Sequence, residues 1–138
     1  MAAPHDPASA RKRVLVVEDN PLNMKLFSAM IAAEGYEVLE ANSGQSGLEM
    51  AHRQRPDLII MDIQLPGMSG LEVTQSLKAD SETHDIPIIA TTAFATRGDE
   101  ETIMASGCDA YMAKPIAISQ FLELIESLVA RRPQTCPA

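Results

Sequence analysis

Four short apolar runs, VLVV (14–17), LIIM (58–61), IPIIA (86–90) and AYMA (110–113), recur along the chain, with an alternating segment, YEVLEA (36–41), between the first two. Between the runs lie segments of helical period, such as Leu22, Leu26, Met30 and Ala33, or Phe121, Leu122, Ile125, Leu128 and Val129. Strands that alternate with helices build a parallel sheet covered on both faces. The pattern therefore predicts a doubly wound α/β fold with five strands and five helices.

The punctuation between the runs fits that reading. Asn20 before Pro21 reads as a helix cap and first helical residue, Gly35 as the stop of the first helix, and Ser69 with Glu72 as a capping box for the third. Gly107 closes the fourth. A chain of 138 residues suits one domain with a sizeable core. We expect that domain over residues 13–131, between mobile tails over 1–12 and 132–138 that are rich in proline and small polar residues.

Bulk properties exclude several functions. A net charge of −8 argues against a nucleic-acid binder, which needs concentrated Lys and Arg. No apolar stretch approaches a membrane span, and the first residues lack the apolar core of a secretion signal, so a cytoplasmic protein is expected. Two cysteines, Cys108 and Cys136, without a CxxC motif make neither a disulfide framework nor a zinc site.

In an open parallel sheet every strand points its carboxyl end at one edge, and ligands bind there. The first strand ends in Glu18, Asp19 and Asn20, the third in Asp62, the fourth in Thr91 and Thr92, and the fifth in Lys114 and Pro115. Three carboxylates converging from two strand ends repel one another, which raises their pKa values or demands a cation. Oxygen ligands of this charge suit Mg²⁺, which commonly binds through one or two carboxylates together with a phosphate. Lys114 and a threonine hydroxyl would then hold phosphoryl oxygens. Asp62 is the candidate nucleophile, since a carboxylate can attack phosphorus to form an aspartyl phosphate, and Glu18 and Asp19 read as metal holders. Singly, each residue has a plainer reading as a cap, a turn or a solvated loop residue; their convergence on one edge is what carries the chemistry.

The same residues resemble the receiver domain of two-component response regulators, over roughly residues 13–131. The matching pieces are VEDN (17–20), MDIQLPGMSG (61–70), TTAFA (91–95) and YMAKP (111–115), and the spacing of thirty residues from Asp62 to Thr92 and fifty-two from Asp62 to Lys114 is typical of that family. The resemblance implies a flavodoxin-like (CheY-like) sheet ordered 2-1-3-4-5. It implies that Asp62 takes a phosphoryl group from a sensor histidine kinase or a histidine phosphotransfer protein. Mg²⁺ would be held by Asp19, Asp62 and the backbone carbonyl of Gln64, with Glu18 acting through water. Thr92 would be the switch residue and Tyr111 the aromatic that turns inward, remodelling the surface of the fourth helix, fifth strand and fifth helix for a downstream protein partner. A cis bond is expected before Pro115, and Phe94 and Gln64 are expected to modulate phosphoryl lifetime.

Within the family the strings EDNPLNMKLF and TAFATRGDE are most similar to single-domain cell-cycle regulators. The first helix of receivers docks on the partner kinase, and the resemblance points to Asn23 and Phe27 as contacts, with Leu22 and Leu26 in the core. A monomer or weak homodimer is expected. Two departures are mild: Glu18 stands where aspartate is common, and Gln64 where many receivers have asparagine. Two other readings stay open at this point. One is a Mg²⁺-dependent phosphatase that uses an aspartyl phosphate, although its expected DxD after the first strand is EDN here. The other is a pseudo-receiver that is never phosphorylated and acts as an interaction module.

Overall fold

The computed structural model describes residues 12–93, 97–114 and 116–131. The elements run β1 (Arg13–Val17), α1 (Pro21–Ala33), β2 (Glu37–Ala41), α2 (Gly44–Gln54), β3 (Leu58–Asp62), α3 (Gly70–Ala79), β4 (Ile88–Thr92), α4 (Arg97–Ala105), β5 (Ala110–Ala113) and α5 (Ile118–Arg131). All four strand pairings are parallel and the order is β2-β1-β3-β4-β5, as expected. The two expected tails, apart from Lys12, and Phe94 and Pro115 lie outside the described residues. No described helix is long and apolar enough to cross a membrane.

The alternation of side chains along each strand divides the core in two. Val14, Val16, Leu58, Ile60 and Ile89 pack under α1 and α5, against Met24, Phe27, Ile31, Phe121 and Ile125. Leu15, Val17, Ile59, Met61, Ile88 and Ala90 pack on the other face, against Ala51, Val73, Leu77 and Ile103. The run expected as the fourth strand at 86–90 pairs two residues later, as Ile88–Thr92. Pro87 has no N–H to enter a ladder, and it contributes only its carbonyl, which accepts from the Ile59 amide at 3.0 Å.

Helix α1 corrects one expectation. Asn20 caps it by accepting from the amides of Leu22 and Asn23 at 2.9 and 3.2 Å, and Gly35 beyond its end takes φ +96°. The buried stripe, however, is Met24, Phe27 and Ile31. Leu22 and Leu26, read as core, are 75% and 57% exposed, whereas Phe27, read as a partner contact, is 4% exposed. Both stripes have helical spacing, so periodicity cannot choose between them. Packing does: Phe27 meets the Phe121 ring at a centroid distance of 5.4 Å, a tilted aromatic pair inside the core under α1 and α5.

The amino-terminal edge of the sheet is fastened by polar side chains. The Arg13 guanidinium donates to the side-chain and backbone oxygens of Gln54, and its amide donates to Asp57 Oδ2 at 2.8 Å. Lys78 Nζ donates to the carbonyls of His84 and Ile86 at 3.1 and 2.8 Å and pairs with Asp109 Oδ2 at 2.8 Å. That same Asp109 oxygen accepts the Ile88 amide, joining α3, β4 and β5 at one point.

Candidate functional site

At the opposite, carboxyl edge, β1 and β3 end side by side, Val17 being paired with Met61. Glu18 continues the β1 path, donating its amide to the Ala41 carbonyl at 3.0 Å. Glu18 is 2% exposed and Asp62 3% exposed, while Asp19 is open to solvent. One oxygen from each of Glu18, Asp19 and Asp62 lies within 4.8 Å of the others. The sequence-based site therefore assembles from two strand ends.

Lys114 reaches into this cluster from the end of β5. Its backbone amide is fixed by donation to the Thr92 carbonyl at 2.7 Å, and its Nζ stands 3.3 Å from Glu18 Oε1 and 3.6 Å from Asp62 Oδ2. Burial, and then the nearby Asp62 charge, push the Glu18 carboxyl above its ordinary value; the Asn20 amide and Lys114 oppose that shift without cancelling it. Three carboxylates facing one ammonium leave an excess of negative charge in a partly dry site. That donor set fits a hard dication.

Asp62 is also held by its own loop, since the Gln64 amide donates to its Oδ1 at 2.9 Å. The Gln64 side chain crosses to the next strand, where its Oε1 accepts the Ala93 amide at 3.0 Å. Thr91 and Thr92 are both fully buried. Alternation from Ile88 and Ala90 puts Thr92 on the α4 face of the sheet and Thr91 on the α1 and α5 face, where its hydroxyl has no partner. Tyr111 lies on the Thr92 side, half-buried, with its hydroxyl near the Glu100 carboxylate of α4. Partial burial and that carboxylate hold the phenol above its ordinary value. Thr92 and Tyr111 thus share a face with α4.

Gly70 is a site residue that sequence reasoning did not single out. A Cβ there would lie 2.2 Å from the Asp62 carbonyl oxygen, so only glycine lets α3 start against the end of β3. The available signal was its position, directly after the Ser69 cap and eight residues past Asp62. Around the cluster, a cleft of about 520 Å³ opens between Glu18, Asp19, Lys25, Glu40 and Asn42. A smaller groove of about 210 Å³ separates α1 from the start of α5, and its lining includes Asn23, Leu26, Phe27, Met30, Lys114 and Ile118. Asn23 is half-buried on its rim, and Phe27, the expected contact, lines the groove beside the far more exposed Leu26.

Comparison with known proteins agrees with this geometry. The profile of the response regulator receiver domain matches residues 14–126. The polar-differentiation response regulator DivK of Brucella anthropi is 56% identical over 116 residues, 84% of this chain and 94% of that protein. DivK of Brucella abortus shows the same identity over the same span. Among solved structures, the receiver domain of a Pseudomonas aeruginosa sensor histidine kinase, with magnesium coordinated in its active site cleft, is 35% identical and superposes with a TM-score of 0.82 over 88% of this chain and 99% of that one. The chemotaxis protein CheY4 of Vibrio cholerae is 27% identical, with a TM-score of 0.81 over 86% of this chain and 99% of that one.

Proposed function

Since the chain belongs to the response regulator receiver family, we propose that it is a phospho-switch in which Asp62 accepts a phosphoryl group from the phosphohistidine of a sensor kinase or phosphotransfer protein. The observation that carries this reading is a carboxylate 3% exposed, clustered with two others and 3.6 Å from the ammonium of Lys114. Burial keeps the Asp62 carboxylate from being hydrated, and the Gln64 amide on Oδ1 fixes its direction. A carboxylate oxygen attacks phosphorus, the N–P bond breaks, and the departing imidazole nitrogen keeps the electron pair and takes a proton from solvent. Lys114 and the Thr92 hydroxyl hold two phosphoryl oxygens, so the work of the site is positioning and charge neutralisation.

Glu18, Asp19, Asp62 and the Gln64 backbone carbonyl are the groups that would hold Mg²⁺, which when bound neutralises charge on the transferring group. Glu18, whose ionisation burial disfavours, gains most from that neutralisation. Once Asp62 carries phosphate, the Thr92 hydroxyl is drawn to it and Tyr111 exchanges Glu100 for the space vacated. The surface of α4, β5 and α5 changes accordingly. A downstream protein that reads this surface, and a kinase helix against α1 at Leu22, Asn23 and Leu26, complete the partner set. The likeness to DivK supports a role in polarity or cell-cycle control in the cytoplasm.

Intact-mass measurement after incubation with Mg²⁺ and acetyl phosphate tests the assignment. We expect a phosphate adduct in the wild type, its loss when the metal is chelated, and none in Asp62→Asn. An adduct that persists in that variant would sink the assignment, and so would its absence from the wild type.

A further inference from the structure

The β3–β4 ladder ends in an exchange of partners. In a parallel pair the bonds recur every second residue and run both ways across the strands. The Ile59 amide donates to the Pro87 carbonyl at 3.0 Å and the Ile63 amide to the Thr91 carbonyl at 3.1 Å. In that register the next donor from the β4 side is the Ala93 amide, and the acceptor due to it is the Ile63 carbonyl. That carbonyl instead accepts the Gly70 amide at 3.3 Å, where α3 presses on the end of β3, and the strands have parted too far for Ala93 to share it. Ala93 is left with a donor and no ladder acceptor. The Gln64 carboxamide supplies one, at 3.0 Å.

This donor stands directly after Thr92, on the strand beside Asp62, facing the loop that leaves Asp62. We infer that the Gln64 carboxamide is a placeholder for a phosphoryl oxygen: it occupies the Ala93 N–H in the resting protein and is displaced when Asp62 is phosphorylated. The inference rests on the phosphoacceptor reading of Asp62. A phosphoryl oxygen is a charged acceptor and a carboxamide a neutral one, so the exchange favours phosphate, yet each phosphorylation must first break the resting bond. Gln64 thereby acts twice as a positioning residue. Its backbone N–H aims Asp62, and its side chain keeps a catching donor satisfied until phosphate arrives.

Gln64→Met separates this role from simple shielding, because it keeps the length and removes the acceptor. Gln64 is exposed, so the variant should fold as the wild type does. With Mg²⁺ and saturating acetyl phosphate, a carboxylate oxygen of Asp62 bonds to phosphorus and acetate leaves with the electrons of the broken P–O bond. We expect uptake to be faster in the variant, by about five-fold if the resting bond has ordinary strength. In the metal-free protein the Ala93 amide hydrogen should exchange faster by a similar factor. Equal uptake rates in variant and wild type would overturn the inference while leaving Asp62 as the acceptor; no adduct in either protein would count against the acceptor itself. Unchanged Ala93 exchange overturns the placeholder whatever the phosphate chemistry does.

Discussion

Glu18 carries the electrostatic cost of the site. Its carboxyl is raised above the ordinary value of 4.5 first by burial and then by Asp62, so above that value, until the folded carboxyl also ionises, the folded protein binds more protons than the unfolded chain. Stability contributed by this group therefore falls as pH rises through the window. Glu18→Gln removes the cost: at pH 7 without Mg²⁺ it should raise the melting temperature, with the gain shrinking toward pH 4.5. Thermal scans across that range check the prediction, and a gain that grew toward low pH would contradict it. Glu18, Asp62 and Lys114 were legible as sequence because each follows an apolar run, and strand ends in a parallel sheet share one edge. The Gln64 side-chain contact was not legible. It depends on where the β3–β4 ladder stops and leaves the Ala93 amide to a side chain, and no spacing rule encodes that end point.

Helix α1 shows where periodicity stops deciding. Two apolar stripes fit its turn, and the aromatic one is buried because Phe121 receives it. Phe27→Ala should cost about 3–5 kcal/mol in chemical denaturation, whereas Leu26→Ala should stay within about 0.5 kcal/mol. If the exposed stripe is the kinase contact, Leu22→Ser with Leu26→Ser should slow phosphotransfer from a cognate kinase at least several-fold and leave uptake from acetyl phosphate unchanged. A matched pair of assays distinguishes the two donors. Helix α3 makes the opposite point: its capping box was plain in Ser69 and Glu72, and the structure has it. Why that helix must begin with glycine was not plain, because the obstacle is the Asp62 carbonyl oxygen of a different element. Gly70→Ala should cost more than about 2 kcal/mol and impair phosphorylation, since relief of the clash moves either the helix or the end of β3.

Across the whole molecule, strand order followed from the family resemblance, since the alternation of strands and helices alone left it open. Polar side chains divide the labour between the two ends of the sheet. Arg13, Lys78, Asp57 and Asp109 tie strand beginnings to neighbouring loops, and each bond there joins opposite charges or a charge to a neutral group. At the other end, like charges are crowded together. Lys78→Met should lower stability by about 2 kcal/mol, because it strips a donor from two carbonyls and Asp109, without weakening Mg²⁺ binding. Calorimetry with and without the ion reads both halves of that statement. The molecule is in effect a book bound along one side: the side-chain ties hold the strands together at the spine, so under the proposed switch a change that phosphate makes at the open margin would be turned outward into α4 and β5 instead of being dissipated through the sheet.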